Sequence, residues 1–180
     1  ELPTGGRITP AAEVAAPVGS RPFGVTFGHD AAVFAVGYDD TNAVSLLDAR
    51  TLDLLDAPDT AGLDGGDLSK VAWSADGATL FAGGRYQKGD EAQVIVWGNS
   101  GGGTRRTIVA STNTIMGLVP LARGELLVAA QDPYLARLKA DGGTPRWRHG
   151  PPQADLREQS CSVAVSAGGG LIDFDYDVYA

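Results

Sequence analysis

Short apolar runs, each followed by a polar or glycine-bearing turn, recur along this chain at nearly constant spacing. Aligned on their first apolar residue, four windows read Val25-Thr26-Phe27, Val71-Ala72-Trp73, Leu118-Val119-Pro120 and Val163-Ala164-Val165, at steps of 46, 47 and 45 residues. After each anchor comes a turn, such as Gly28-His29-Asp30 or Ser74-Ala75-Asp76-Gly77, and then a second apolar run, such as Val33-Phe34-Ala35-Val36 or Leu126-Leu127-Val128-Ala129. Runs this short, bounded by Gly, Asp, Asn and Ser, predict strands, and a helical period is sustained nowhere. The pattern places four extended segments in each full repeat: residues 23–26, 32–37, 43–47 and 52–55, then 70–73, 79–83, 93–97 and 104–109, then 116–119, 125–129, 134–138 and 145–149. The second strands are nearly continuous apolar runs, as strands packed on both faces are. The third strands alternate more, Val94 and Val96 against Gln93, Ile95 and Trp97. Near the start, Thr9 and Pro10 suit an N-cap and first helical position, but the repeat register favours an outer strand at residues 7–9.

A period of 40 to 50 residues built from short strands and tight turns predicts the blades of a β-propeller. The expected fold is all-β: four-stranded antiparallel blades at about 20–57, 66–110 and 113–150, with a partial fourth at 158–180. Three and a half blades leave open sheet edges and an uncovered apolar blade face. The expectation is therefore an incomplete ring, completed by another segment, chain or copy; a small ring closed by the less similar ends is the alternative. The 180 residues are 43% apolar, enough for a core, and carry a net charge of −8. That acidity argues against nucleic acid, which calls for a basic stripe, and against an anionic membrane surface. No apolar run approaches the length of a spanning helix. One cysteine, Cys161, excludes an intrachain disulfide and leaves the compartment undetermined. The N-terminus has no signal-peptide pattern and no initiator Met, as in a processed or excised chain. Arg-, Ala-, Gly- and Asp-rich usage hints at a high-GC bacterial gene.

The best-formed repeat reads Lys-Val-Ala-Trp-Ser-Ala-Asp-Gly from Lys70, then Thr-Leu-Phe-Ala-Gly-Gly, then Val-Ile-Val-Trp to Trp97. It resembles the WD40 and WD40-like propeller repeats, with Trp97-Gly98 and Leu47-Asp48 where that family carries Trp-Asp. The third repeat departs from the pattern at Arg137-Leu138-Lys139-Ala140-Asp141-Gly142, and no repeat carries the family's Gly-His in the expected place. The later repeats also resemble propellers appended to bacterial caspase-like or other signalling proteins. The run from Leu138 to Trp147 is similar to a quinoprotein-like blade, but occurs once. The WD40 resemblance implies a non-catalytic scaffold or regulatory platform that binds a protein or peptide, with no cofactor. The competing classes are a metal-dependent propeller hydrolase or lactonase and a quinoprotein-like ligand-binding propeller.

In that register the partner-binding candidates ring one face and the channel: Arg21, Phe23, Lys70, Arg85, Tyr86, Met116, Asp132 and Tyr134. Arg, Tyr and Met are enriched at protein interfaces. Asp173, Asp175 and Asp177 fall on one face of a strand, where three carboxylates would suit calcium; solvated edge carboxylates are the plainer reading, and Asp39-Asp40 adds ligands only if folding brings them near. His149 and Cys161 are the sole pair able to imitate a Cys–His nucleophile, without a supporting motif. Gly101-Gly102-Gly103-Thr104-Arg105-Arg106 lacks the Gly-Lys-Ser/Thr of a phosphate loop and reads as a hairpin connection. Arg146, Arg148 and Arg157 with Trp147 form a basic, aromatic cluster that would fit an acidic peptide or ordinary outer-strand surface.

Overall fold

The computed structural model describes residues 12–131, 134–139, 141–142, 145, 147–149, 163–166 and 170–174, without the side chains of 147–149 and 173–174. The strands sort into four antiparallel sheets in chain order. The first is β1 (Pro22–Phe27), β2 (Val33–Tyr38) and β3 (Val44–Asp48). The second holds β4 (Lys70–Trp73), β5 (Leu80–Gly83), β6 (Gln87–Lys88), β7 (Glu91–Trp97) and β8 (Arg105–Ser111); it runs β4-β5-β7-β8, with β6 folded back on the start of β7. The third, β9 (Ile115–Leu121) to β12 (Trp147–His149) by way of β10 (Glu125–Ala130) and β11 (Tyr134–Lys139), is four-stranded in sequence order. The fourth pairs β13 (Val163–Val165) with β14 (Ile172–Phe174). The first strands β1, β4, β9 and β13 lie successively beside one another, as inner strands around an axis do. These are propeller blades, and the described strands form an incomplete ring.

The sheets stack because successive side chains along a strand leave opposite faces. On β7, Ile95 and Trp97 join Val44 and Leu46 of the first sheet, with Leu80, Ala82 and Trp73, in one core. Val94 and Val96 point the other way, into a core with Leu126, Val128, Ala136 and Leu138 of the third sheet. Both faces of the second sheet are therefore dry, which is why its middle strands read as unbroken apolar runs. Along the seam between the first two sheets the backbones nearly touch. A Cβ on Gly24 would lie 2.3 Å from the Ser69 carbonyl oxygen, and one on Gly37 2.3 Å from that of Leu68.

The first sheet departs from the expected four strands. Residues 52–55 make one bridge, Leu47 to Leu54, flanked by Leu55 N–H to Leu46 O at 2.8 Å and Asp48 N–H to Asp53 O at 3.0 Å. Asp48 Oδ1 accepts the amides of Arg50 and Thr51, and Leu52 takes a left-handed φ of 63°. The chain then crosses to the second sheet, where Trp97 Nε1–H donates to Asp59 O at 2.9 Å and Arg105 to Ala61 O at 2.8 Å. The β6–β7 hairpin, turning at Gly89, was not among the expected strands.

The turn before β10 carries Arg123 at φ 64°, exposed to solvent. A side chain there costs on the order of 1 kcal/mol against glycine. Arg123→Gly is expected to raise stability by up to about 1 kcal/mol, read as a higher thermal midpoint.

Three exposed turns are tied by carboxylates held below the usual 3.8: Asp40 by the Ser20 hydroxyl and amide, Asp48 by the Thr51 and Arg50 amides, and Asp76 by the Ser74 hydroxyl and the Ala78 amide. A depressed folded-state value contributes stability that is complete above the unfolded value and lost as pH falls through the folded one. The urea midpoint is therefore expected to stay level from neutrality to about pH 5 and to decline below about pH 4.

Candidate functional site

The four inner strands converge on an axial groove of about 230 Å³. Val25, Val71, Met116, Leu118 and Val163 line it with Lys70, so that all four sheets contribute to one wall in which apolar side chains stand among exposed polar groups. Lys70 is the first residue of β4, and its Nζ stands 4.5 Å over the Phe23 ring, a cation–π arrangement that holds the ammonium at the groove.

Beside the groove, on the side where β2 and β5 end, an ion-pair chain joins the first two sheets. Arg21 Nε lies 2.9 Å from Asp39 Oδ1. Arg85 Nε donates to Asp67 Oδ2 and its Nη2 reaches back to Asp39 O at 2.5 Å. The Asp67 side chain is only 1% exposed; it also accepts Ser69 N–H at 3.1 Å. Hydrogen bonding to Asp67, reinforced by its charge, pushes the Arg85 guanidinium further toward its charged form. Arg21 and Asp67 occupy one repeat position, 46 residues apart, and Asp39 and Arg85 another, also 46 apart. The pair thus recurs with its signs exchanged. The third repeat has Thr114 and Gln131 at these positions, keeping polarity without charge.

Of the residues expected to meet a partner, Arg21, Phe23 and Arg85 are exposed, while Lys70, Met116 and Tyr134 are half-buried. Lys70 and Met116 share the groove wall; Tyr134 packs on the core between the second and third sheets. Tyr86 is buried in the seam core with Leu68 and Trp97. Asp132 lies outside the described residues. Sequence reasoning missed Asp67 and Asp39 as the anions that set these arginines, although the exchange of sign at a 46-residue step was readable.

Asp39 belongs to the ion-pair chain, and Asp40 Oδ2 accepts Ser20 N–H at 2.7 Å. The glycine run after Asn99 connects β7 to β8, with Gly103 N–H bonded to Gly98 O at 2.9 Å, so its amides serve the turn. Asp175, Asp177, Cys161, Arg146 and Arg157 lie outside the described residues. Asp173 is placed by its backbone only, opposite Ala164, and Trp147, Arg148 and His149 are likewise placed as strand β12.

No family model matches this sequence, and no curated protein matches it. Among solved structures the chain is similar to the RRP9 WD40 repeats, with a TM-score of 0.63 and 13% identity over 76% of this chain and 40% of that one. It is also similar to U3-55K, with a TM-score of 0.64 and 14% identity over 78% and 42%. The matched part is about two fifths of those chains. The likeness is one of fold: these sheets are WD40-type propeller blades.

Proposed function

We propose that this chain is a non-enzymatic interaction module that binds a protein or peptide at the axial groove and its Arg21–Arg85 rim. The supporting observation is the convergence of four inner strands on one groove that carries the Val71, Met116 and Leu118 side chains, with Lys70 at its edge and two exposed guanidinium groups nearby. An apolar anchor side chain would sit against Val71, Met116 and Leu118, since interface energy concentrates in such desolvated contacts. An acidic neighbour on the peptide would face Lys70, and electrostatic complementarity would set orientation and association rate. WD40-type blades in the structural neighbours make a scaffold role the natural class, but fold alone does not fix function.

The test is selection of binders from a random displayed peptide library, followed by affinity measurement on Lys70→Glu and Met116→Ala. Enrichment of apolar–acidic peptides that lose about tenfold or more on Lys70→Glu, the scale of a hot-spot residue, supports the reading. Binders indifferent to both substitutions would place the site elsewhere.

A further inference from the structure

The outer margin of the second sheet, on the side that faces the first, carries a cavity of about 430 Å³. It exists because the first sheet has no continuous fourth strand to cover that margin. Gln93 shares a face of β7 with Ile95 and Trp97, whose partners across the ladder are Thr107 and Arg105 of β8. The first sheet packs on Ile95 and Trp97. Beyond them only the crossing segment lies over the blade. Leu63 and Asp64 of that segment line the cavity with Lys88 of the β6–β7 hairpin and with Gln93, Arg105 and Thr107. Its size falls within the roughly 300–1,000 Å³ of small-molecule sites.

Three polar groups here lack partners among the described residues. Gln93 is 5% exposed, yet its Oε1 accepts no hydrogen bond. A buried amide oxygen without a donor bears its desolvation cost uncompensated, so a ligand that brings an N–H to it gains more than at the surface. Asp64 and Lys88 are exposed, and their side chains pair neither with each other nor with another described residue. Arg105, by contrast, is already held by Asp59 and the Ala61 carbonyl.

We propose that this cavity binds a zwitterion of amino-acid to dipeptide size, its ammonium taken by Gln93 Oε1 and Asp64 and its carboxylate by Lys88. Unpaired charges of both signs call for a ligand that carries both; a simple anion would meet Asp64, and a simple cation would meet Lys88. A sugar would need an aromatic face to lie against, and the ring of Tyr86, the aromatic residue of this cavity, is packed in the seam core. The site lies at the outer end of the strand order, away from the inner strand β4. It goes beyond the groove reading and stands without it.

The experiment titrates the chain with each common amino acid and with glycylglycine, following the backbone amide resonances and the Gln93 side-chain amide. The expected result is a saturable shift at Asp64, Lys88 and Gln93 for at least one of these ligands, with a Kd of about 1 mM or tighter. Binding should weaken about tenfold or more in Gln93→Leu, Asp64→Asn and Lys88→Gln, the scale of one charge-assisted hydrogen bond. The N-acetylated and carboxamide forms of the same ligand, each lacking one charge, should weaken by about as much. Gln93→Leu is expected to keep native stability, since its side-chain oxygen has no protein partner to lose; should it unfold, the two exposed positions carry the test. No saturable shift from any of these ligands would overturn the proposal. So would capped forms that bind equally well, variants that bind as the native chain does, or glucose bound in preference to every zwitterion.

Discussion

Trp97→Ala is expected to destabilise the chain by about 3–5 kcal/mol, the usual range for truncating a buried tryptophan. Its side chain is fully buried, it sits at the centre of the seam between the first two sheets, and its indole N–H donates to Asp59 O. Truncation would open a cavity beside Leu46 and Ile95 and release the crossing segment at Asp59. Chemical denaturation of the variant against the native chain reads the loss directly. A cost under about 1 kcal/mol would mean that the side chain occupies a surface environment.

Gly37→Ala carries the second large effect. The added methyl would meet the Leu68 carbonyl oxygen at 2.3 Å, and backbone cannot swing aside as a flexible side chain can. Overpacking of a tight core costs about 1–3 kcal/mol, and a clash with backbone belongs at the upper end or beyond. Gly98→Ala is the control: nothing lies within 4 Å of a Cβ there, and its φ is −79°. It should fall within about 0.5 kcal/mol of the native chain by the same denaturation. Equal costs for the two would show that the first two sheets are not in the close register described.

Much of the fold was legible because strand periodicity is a local property. Residues 70–73 and the runs beginning at Val33 and Glu125 announce strands by composition and by their bounding turns. The expected outer strand at residues 52–55 shows where that reasoning ends. Leu52, Leu54 and Leu55 have strand composition, but a left-handed Leu52 and a turn capped by Asp48 leave only one bridge, and the chain departs to cover the second sheet. Nothing local signals that departure.

The site was legible in part. Lys70 and Met116 follow from their repeat positions at the inner strands. Tyr86, chosen by the same logic, is buried, because the seam draws its ring inward beside Leu68. Asp67 escaped attention because one aspartate in a glycine-rich turn reads as a solvated turn residue; only the closing of the seam buries it against Arg85.

The most direct test of the blade stack is the set of nuclear Overhauser contacts made by the β7 side chains. The Trp97 ring should show contacts to the Val44 and Leu46 methyls, while the Val94 and Val96 methyls contact those of Leu126 and Val128. Contacts from Trp97 to the third-sheet methyls, or from Val94 and Val96 to the first sheet, would contradict the stacking order on which the groove and the Gln93 cavity both depend.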